Sequence, residues 1–276
     1  MEIVRTVAAM RAAVAGRRVG FVPTMGYLHE GHLSLVREAR ARADVVVVSI
    51  FVNPTQFGPN EDLARYPRDL ERDVAMLSKE GVDLVFAPEA NEIYPAGART
   101  FVEVEGLSDR LEGASRPGHF RGVATVVTKL FEIVRPEVAV FGQKDAQQAL
   151  VIRRMVRDLI IDVEVVVAPT KRDEDGVALS SRNVYLSADE RRAAGAIPRA
   201  LAAARRALAQ GERDPERIVA AARAVLDAEP LLRLDYLALV DAETLDPLER
   251  ARGEMLLAVA VFAGKTRLID NEVLAS

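Results

Sequence analysis

Short runs rich in Val, Ile and Phe alternate along this chain with longer stretches whose apolar residues recur three and four apart. This alternation constrains the fold more than any other feature, because strand, helix and strand in the same sense bury their apolar surfaces only by crossing over a shared sheet. The strand-like runs cover 18–23, 44–52, 83–88, 137–142 and 162–169, and several lack polar alternation, as strands covered on both faces should. Helices are expected at about 31–42, 69–80, 120–134 and 146–159, the third closed by Pro136 and the fourth opened by Asp145 as N-cap. The pattern predicts an α/β fold built on a doubly wound parallel sheet.

After Pro169 the pattern changes. A polar loop at 171–183 precedes two Ala/Arg-rich helical stretches at 188–210 and 214–228, followed by strands at 233–241, 254–263 and 266–273. Gly264-Lys265 between the last two suits a short antiparallel connection. We therefore expect a first domain over 1–170 and a smaller α+β domain over 171–276; 276 residues, half of them hydrophobic, are enough for two cores. A net charge of −4 lacks the basic excess of a nucleic-acid or anionic-membrane binder. The absence of cysteine removes disulfides, thiolate metal sites and cysteine nucleophiles. No apolar run approaches the roughly 20 residues of a membrane span, and the arginines at 5, 11, 17 and 18 break any signal-peptide core, so a cytoplasmic protein is expected.

Three local clusters carry chemistry. Pro23-Thr24-Met25-Gly26-Tyr27-Leu28-His29-Glu30-Gly31-His32 leaves the first of these strands and enters a helix. A helix N-terminus offers unpaired N–H groups to phosphate, two imidazoles can add donors, and Gly31 allows close approach of a base or phosphate. Ordinary capping histidines fit the same letters; zinc fits them poorly, since His29 and His32 are three apart rather than four and His119 is the one other imidazole. The second cluster, Phe141-Gly142-Gln143-Lys144-Asp145-Ala146-Gln147-Gln148, ends a strand at the carboxyl edge, where such sheets bind ligands. Lys144 can meet a phosphate as a mobile charge, and Gln56, after another strand, lies at the same edge. The third, Leu179-Ser180-Ser181-Arg182-Asn183, offers hydroxyls and a guanidinium suited to a triphosphate, although alone it also reads as a polar turn.

Near misses are closed off by context. Gly264-Lys265-Thr266 resembles the end of a P-loop, but Val259 stands where the first glycine belongs. Neither Gly-x-Gly-x-x-Gly nor Gly-x-Ser-x-Gly occurs.

Taken in order, Pro-Thr-Met-Gly-x-Leu-His-Glu-Gly-His, Ser-Ile-Phe-Val-Asn-Pro, Gly-His-Phe-Arg-Gly-Val, Phe-Gly-x-Lys-Asp-x-Gln-Gln, Leu-Ser-Ser-Arg-Asn and the closing Arg267-Leu268-Ile269-Asp270-Asn271 closely resemble the pantoate–β-alanine ligases, within the nucleotidyltransferase superfamily that carries His-x-Gly-His. The resemblance spans nearly the whole chain and is most specific over 21–185. It implies a Rossmann-like sheet and an ATP-dependent ligase that forms pantoyl adenylate and couples it to β-alanine. By motif position Met25, Gly26, Tyr27, Leu28, His29, Glu30, Gly31 and His32 would bind ATP, with His32 the proton donor as pyrophosphate leaves. Gly142 and Lys171 would present backbone groups to adenine, Lys144 and Asp145 would serve phosphate and ribose-side contacts, and Gln143 would belong to the same ATP-binding segment. Ser180, Ser181 and Arg182 would hold the triphosphate, with Leu179 in the same ATP-binding segment, and Gln56 and Gln148 would orient pantoate, Gln56 also lying near β-alanine. Mg²⁺ would bridge the phosphates with few protein ligands. A homodimer, and a C-terminal domain acting as a lid that keeps water from the acyl adenylate, are further implications.

Two departures stand out: Gln143 replaces the usual Glu, and Thr55 stands where Met is common, inside the expected pantoate pocket. Two rival functions remain. An adenylyltransferase acting on a phosphate nucleophile would want more basic groups where Gln56 and Gln148 stand, and a silent nucleotide-binding regulator would not need intact His29, His32, Lys144 and Arg182.

Overall fold

A computed structural model describes the chain from Met1 to Ser276 apart from residues 60 and 62. It contains β1 (Glu2–Val4), α1 (Val7–Val14), β2 (Val19–Thr24), α2 (Glu30–Arg40), β3 (Val45–Ile50), α3 (Leu70–Lys79), β4 (Leu84–Phe86), α4 (Ala90–Ile93), α5 (Leu111–Ser115), α6 (His119–Val134), β5 (Val138–Gly142), α7 (Ala146–Asp158) and β6 (Glu164–Ala168). Then follow α8 (Ala188–Ala194), α9 (Ala196–Ala209), α10 (Pro215–Asp227), β7 (Leu232–Asp241), β8 (Glu254–Ala263) and β9 (Thr266–Ala275). Two compact units result, one of residues 1–109, 116–143 and 147–169, the other of 110–115, 144–146 and 170–276. Two short segments from before position 170 thus group with the C-terminal unit.

In the first unit six strands form one sheet in the order β1-β4-β3-β2-β5-β6, with every pairing parallel. Side chains of both parities are buried, which is why the strand runs show no polar alternation. Phe21, Val47, Phe86 and Phe141 pack with Met10, Phe131 and Ile152 on one face, while Val22, Val48, Val85 and Val140 pack with Leu33, Val36 and Leu77 on the other. Each such side chain contributes about 1.5–3 kcal/mol on burial.

The strand order reverses at β2, whose neighbours are β3 and β5. The β2–β5 ladder holds only Gly20↔Val138 and Phe21↔Ala139, ending two residues before Pro23, which has no N–H to donate. Beyond Ala139, β5 pairs with β6 alone, so the carboxyl ends of β2 and β5 part at the switch point where doubly wound sheets take ligands.

The second unit is an antiparallel sheet, β7-β8-β9, with Met255, Leu257, Val259 and Val261 of β8 packed on Ile197, Leu201, Leu208, Ile218 and Leu226 of α9 and α10. Gly264-Lys265 is the β8–β9 turn, with no helix after it, so the P-loop likeness has no structural counterpart. Two local expectations are corrected. The single helix expected over 188–210 breaks at Gly195, because Pro198 cannot donate to a carbonyl four residues back and is tolerated only within a first turn, which α9 supplies by starting at Ala196. Asp145 does not precede a simple helix start; it closes a 3-10 turn, Gln143–Asp145, that runs directly into α7.

Candidate active site

The loop from β2 to α2 is fixed from three sides. Thr24 Oγ1 donates to Ser49 O at 2.7 Å and accepts Gly26 N–H at 3.1 Å. Gly26 and Tyr27 both adopt left-handed backbone, at φ 83° and 53°. The Asp73 carboxylate, on α3, accepts Tyr27 N–H and Leu28 N–H, each at 2.7 Å. Arg72 donates to Leu28 O at 2.9 Å and lies over the Tyr27 ring at 4.9 Å.

The two histidines that follow cap α2 reciprocally. His29 Nδ1 accepts Gly31 N–H at 3.1 Å, and His32 Nδ1 accepts His29 N–H at 3.3 Å; the ring centroids are 4.1 Å apart. Since Nδ1 is the acceptor in each ring, the neutral imidazole carries its proton on Nε2, so both rings are Nε2–H donors. The capping role and the donor role are therefore compatible. The expectation of unpaired backbone N–H groups is corrected for most of this stretch: those of residues 26–29, 31 and 32 all have protein partners. Met25 Sδ receives a hydrogen bond from Gln56 Nε2 at 3.2 Å, which joins the loop to the 3-10 turn Pro54–Gln56.

That turn is built on Asn53. Its Oδ1 accepts from Thr55 Oγ1 and Tyr94 OH, both at 2.9 Å, and its Nδ2 donates to Gln56 Oε1 at 3.0 Å and Gly122 O at 3.1 Å. Thr55 Oγ1 also meets Tyr94 OH at 3.0 Å, so the hydroxyl that replaces the common methionine joins this network. Gly122 is required by close approach: a Cβ there would stand 2.4 Å from Thr55 O and 2.7 Å from Gln56 Cα. From the other side His119 Nδ1 lies 2.9 Å from Gln56 O while its Nε2 lies 3.2 Å from Arg116 Nη1. Arginine only donates, so His119 accepts at Nε2 and donates from Nδ1, the opposite tautomer to His29 and His32. Arg116 is held by Glu61 at 2.6 Å; burial opposes ionisation of Glu61, but the Arg116 hydrogen bond and charge prevail and hold its carboxyl below the ordinary value. The Gln148 side chain, half-buried on α7, has no hydrogen-bond partner among the described residues. A Cβ at Gly142 would stand in open space beyond the tip of β5, and Gln143 begins the 3-10 turn after it.

The remaining candidates lie in the C-terminal unit. Lys144 Nζ is 3.9 Å from Asp145, and Lys144 O accepts from Asn271 Nδ2 at 2.9 Å, which ties this segment to β9. Lys171 O accepts Leu179 N–H at 2.9 Å across a bridge between Arg172 and Ala178, and Arg172 grips buried Asp270 with both terminal nitrogens at 2.5 and 2.9 Å. Ser180 caps the 3-10 turn Ser181–Tyr185 by accepting Arg182 N–H at 3.2 Å. Two buried atoms here, Thr170 Oγ1 and Asn183 Oδ1, lack partners among the described residues. Sequence reading passed over Asp73, Arg72, Tyr94 and the structural demand on Gly122, each set by contacts remote in sequence.

No helix among the described residues is long and apolar enough to cross a membrane, and no group of three or more His, Asp or Glu side chains among them is placed to hold a metal ion. Comparison with known proteins bears on the family and the fold. Pantothenate synthetase of Moorella thermoacetica is 58% identical over 279 residues, 99% of each chain, and that of Roseiflexus sp. is 59% identical over 276 residues, again 99% of each. The solved pantothenate synthetase of Thermus thermophilus matches with a TM-score of 0.96 at 56% identity, 99% of both chains being covered. A pantoate–β-alanine ligase of Francisella tularensis, solved in complex with beta-gamma ATP and beta-alanine, matches with a TM-score of 0.79 at 34% identity over 99% of this chain and 97% of that one. With the family model of pantoate–β-alanine ligases matching residues 2–273, the motifs, the switch-point loop and the C-terminal unit resolve into one assignment: this chain belongs to the pantoate–β-alanine ligase family.

Proposed function

We propose that this chain condenses pantoate with β-alanine at the expense of ATP, through pantoyl adenylate. The observation that carries the reading is the His29–His32 pair, whose Nδ1 atoms are occupied by the cap of α2 and whose Nε2–H groups serve as oriented donors at the sheet's switch point. A carboxylate is a poor electrophile, so a pantoate carboxylate oxygen first attacks the α-phosphorus of ATP while the bond from that phosphorus to the bridging oxygen breaks. Pyrophosphate leaves, and His32 Nε2–H donates to it as its charge develops; Lys144 and Arg182 supply positive charge to the phosphates. The β-alanine amine then attacks the pantoyl carbonyl carbon, AMP leaves, the amine loses a proton, and pantothenate remains.

Gln56 and Gln148 orient pantoate, and the unpartnered Gln148 amide supports that role. Gly142 and Lys171 receive adenine, with Thr170 Oγ1 and Asn183 Oδ1 as buried atoms in want of a partner nearby in sequence. Leu179, Ser180, Ser181 and Arg182 take the triphosphate, and Gln143 and Asp145 the ribose side. Mg²⁺ enters as MgATP, part of the substrate, and shields phosphate charge. The C-terminal unit, with a core of its own, serves as the lid that excludes water from the adenylate. The enzyme works in the cytoplasm as a homodimer. The segment Phe101-Val102-Glu103-Val104-Glu105 supports the dimer: it alternates exposed and inward residues like a strand but pairs with no described strand.

The test is pyrophosphate release from MgATP with pantoate alone, followed by addition of β-alanine. A pantoate-dependent burst, with steady AMP and pantothenate formation only once the amine is present, is expected. ATP binding without any pantoate-dependent pyrophosphate would sink the reading.

A further inference from the structure

Asp73 is a carboxylate with 1% side-chain exposure, and the reaction outlined above gives it nothing to do. It projects from the first turn of α3 to the loop between β2 and α2, 45 residues away in sequence, where Oδ2 accepts Tyr27 N–H and Oδ1 accepts Leu28 N–H, both at 2.7 Å. Those distances are in the short range of charge-assisted bonds. The two N–H groups belong to the stretch in which Gly26 and then Tyr27 take left-handed backbone. For tyrosine that conformation costs on the order of 1–2 kcal/mol, so it persists only where surrounding groups impose it. Leu28 leads directly to His29, whose extended backbone at φ −144° starts α2 and sets both imidazoles. Gly26 meets the same carboxylate: a Cβ there would stand 3.0 Å from Asp73 Oδ2 and 2.9 Å from Ile50 Cγ2.

Arg72 completes the grip, donating to Leu28 O at 2.9 Å and approaching Asp73 at 3.4 Å. Two successive peptide units of the loop are thus held by their N–H groups and the third by its C=O, from adjacent residues of one helix turn. Burial pushes the Asp73 carboxyl above its ordinary value, and the Leu28 and Tyr27 N–H bonds offset this only in part. At neutral pH the ionised carboxylate is therefore less favourable in the fold than in the unfolded chain. In return the Tyr27 and Leu28 N–H groups are turned inward onto the carboxylate, which fixes the backbone that leads into the two imidazoles.

We infer that Asp73, steadied by Arg72, is a positioning residue for adenylation: its carboxylate fixes the Gly26–Leu28 backbone and thereby the aim of the His29 and His32 Nε2–H groups, without touching substrate. The inference rests on the two-step reading, and it assigns Asp73 to the first step only. Aminolysis of the acyl adenylate releases no pyrophosphate and has no use for that aim.

The experiment uses the full chain, with wild type, Asp73→Asn and Arg72→Gln. For each, pantoate-dependent pyrophosphate release from MgATP is measured beside the reaction of preformed pantoyl adenylate with β-alanine, and thermal midpoints are recorded. Asparagine keeps one acceptor and sets an NH₂ against the other N–H. Misaim by a fraction of an ångström to 1 Å then lowers kcat for pyrophosphate release by about 10- to 10²-fold. Aminolysis stays within about twofold, because the loop's aim is not used in that step; any fall in the midpoint, from the N–H left without an acceptor, is not accompanied by a matching loss of aminolysis. Arg72→Gln, at a more exposed side chain, gives a smaller loss confined to the same step. Equal losses in both steps that track a falling midpoint would make the role merely structural and overturn the inference. So would wild-type pyrophosphate release in both variants, or full recovery of Asp73→Asn at raised Mg²⁺, which would give the carboxylate to the metal. Absence of pantoate-dependent pyrophosphate from the wild type would instead strike the two-step reading itself.

Discussion

His32 serves two purposes with two nitrogens, and they can be separated. Its Nδ1 accepts His29 N–H, as a Glu or Gln three residues after an N-cap commonly does, which puts the ring's donor hydrogen on Nε2. His32→Ala is expected to slow adenylation by about 10²-fold or more, the scale of one lost charge-stabilising donor, and to lower stability by about 1 kcal/mol through the cap. His32→Gln restores the cap bond and the stability but not the rate. Lys144→Ala should match the rate loss alone, since among the described residues its ammonium pairs only with Asp145, at 3.9 Å. Pyrophosphate release and denaturant titration on the three proteins decide this. Glu61 makes a prediction about pH. Its carboxyl is held below an ordinary value near 4.5, so the support it lends Arg116 and the Gln56 turn is intact above that pH and is lost as the pH falls through the lowered value. The KM for pantoate should therefore be unmoved by this group between neutral pH and about pH 5. Glu61→Gln should raise it throughout that range, by the equivalent of roughly 1.5–3 kcal/mol at most for a hydrogen bond between charged groups. At this scale the sequence offers candidates where motifs are local: His29, His32 and Gln56 lie in short motifs at strand ends. Asp73 was not among them, because an aspartate among Glu71, Arg72 and Lys79 on an amphipathic helix reads as solvated surface until the fold turns it inward.

Elements were legible in proportion to how far their own residues determine them. The strands buried on both faces and the long helices α2, α3, α6 and α7 appear at nearly the expected positions, because their apolar periodicity is set by the core they face. β1 was missed: three residues, Glu2–Val4, take their strand character from pairing with β4 rather than from any pattern. α1, α4 and α5 are likewise short, and the break at Gly195 was hidden by the Ala/Arg composition on both sides. Contacts between elements were invisible altogether, and the packing of α6 on the Pro54–Gln56 turn is the instance with consequence. Helix backbone meets turn backbone at Gly122, where the atoms a Cβ would strike are Thr55 O, Thr55 C and Gln56 Cα, none of which can rotate away. Gly122→Ala must displace the turn or the helix, a strain of about 1–3 kcal/mol. Because Gln56 rides on that turn and its amide also reaches Met25, the KM for pantoate should rise more than that for ATP. Denaturant titration checks the first part and steady-state kinetics in each substrate the second; equal effects on both substrates would mean that the strain spreads through the sheet instead.

The molecule as a whole leaves one surface of its first unit unexplained by its own fold. Ile160, just past α7, is 90% exposed and takes left-handed backbone at φ 54°, a conformation that a β-branched residue adopts at a cost. Leu159 beside it is 51% exposed, and Phe101, at the start of the strand-like segment without a strand partner, is 44% exposed. Val102, Val104, Leu107, Met155 and Leu159 line a groove between that segment and α7, so the two features form one surface. Apolar groups gathered beside a strand-like segment that has no strand partner among the described residues are what a second copy would cover through a two-fold contact. A stable contact of this kind buries on the order of 800 Å² per partner. Two substitutions at one position then have effects of opposite sign. Ile160→Gly relieves the backbone, which glycine adopts freely, and should stabilise the isolated chain by up to about 1 kcal/mol while weakening association. Ile160→Asp removes the apolar contact and sets two like charges near the two-fold axis, so it should sediment at half the wild-type mass at micromolar concentration with its sheet intact. Wild-type mass for Ile160→Asp, or a wild type that already sediments as a single chain, would remove this surface from the dimer. In that event the strain at Ile160 would have to be accounted for within the chain, by the hydrogen bond from Ile161 N–H back to Val156 O that ends α7.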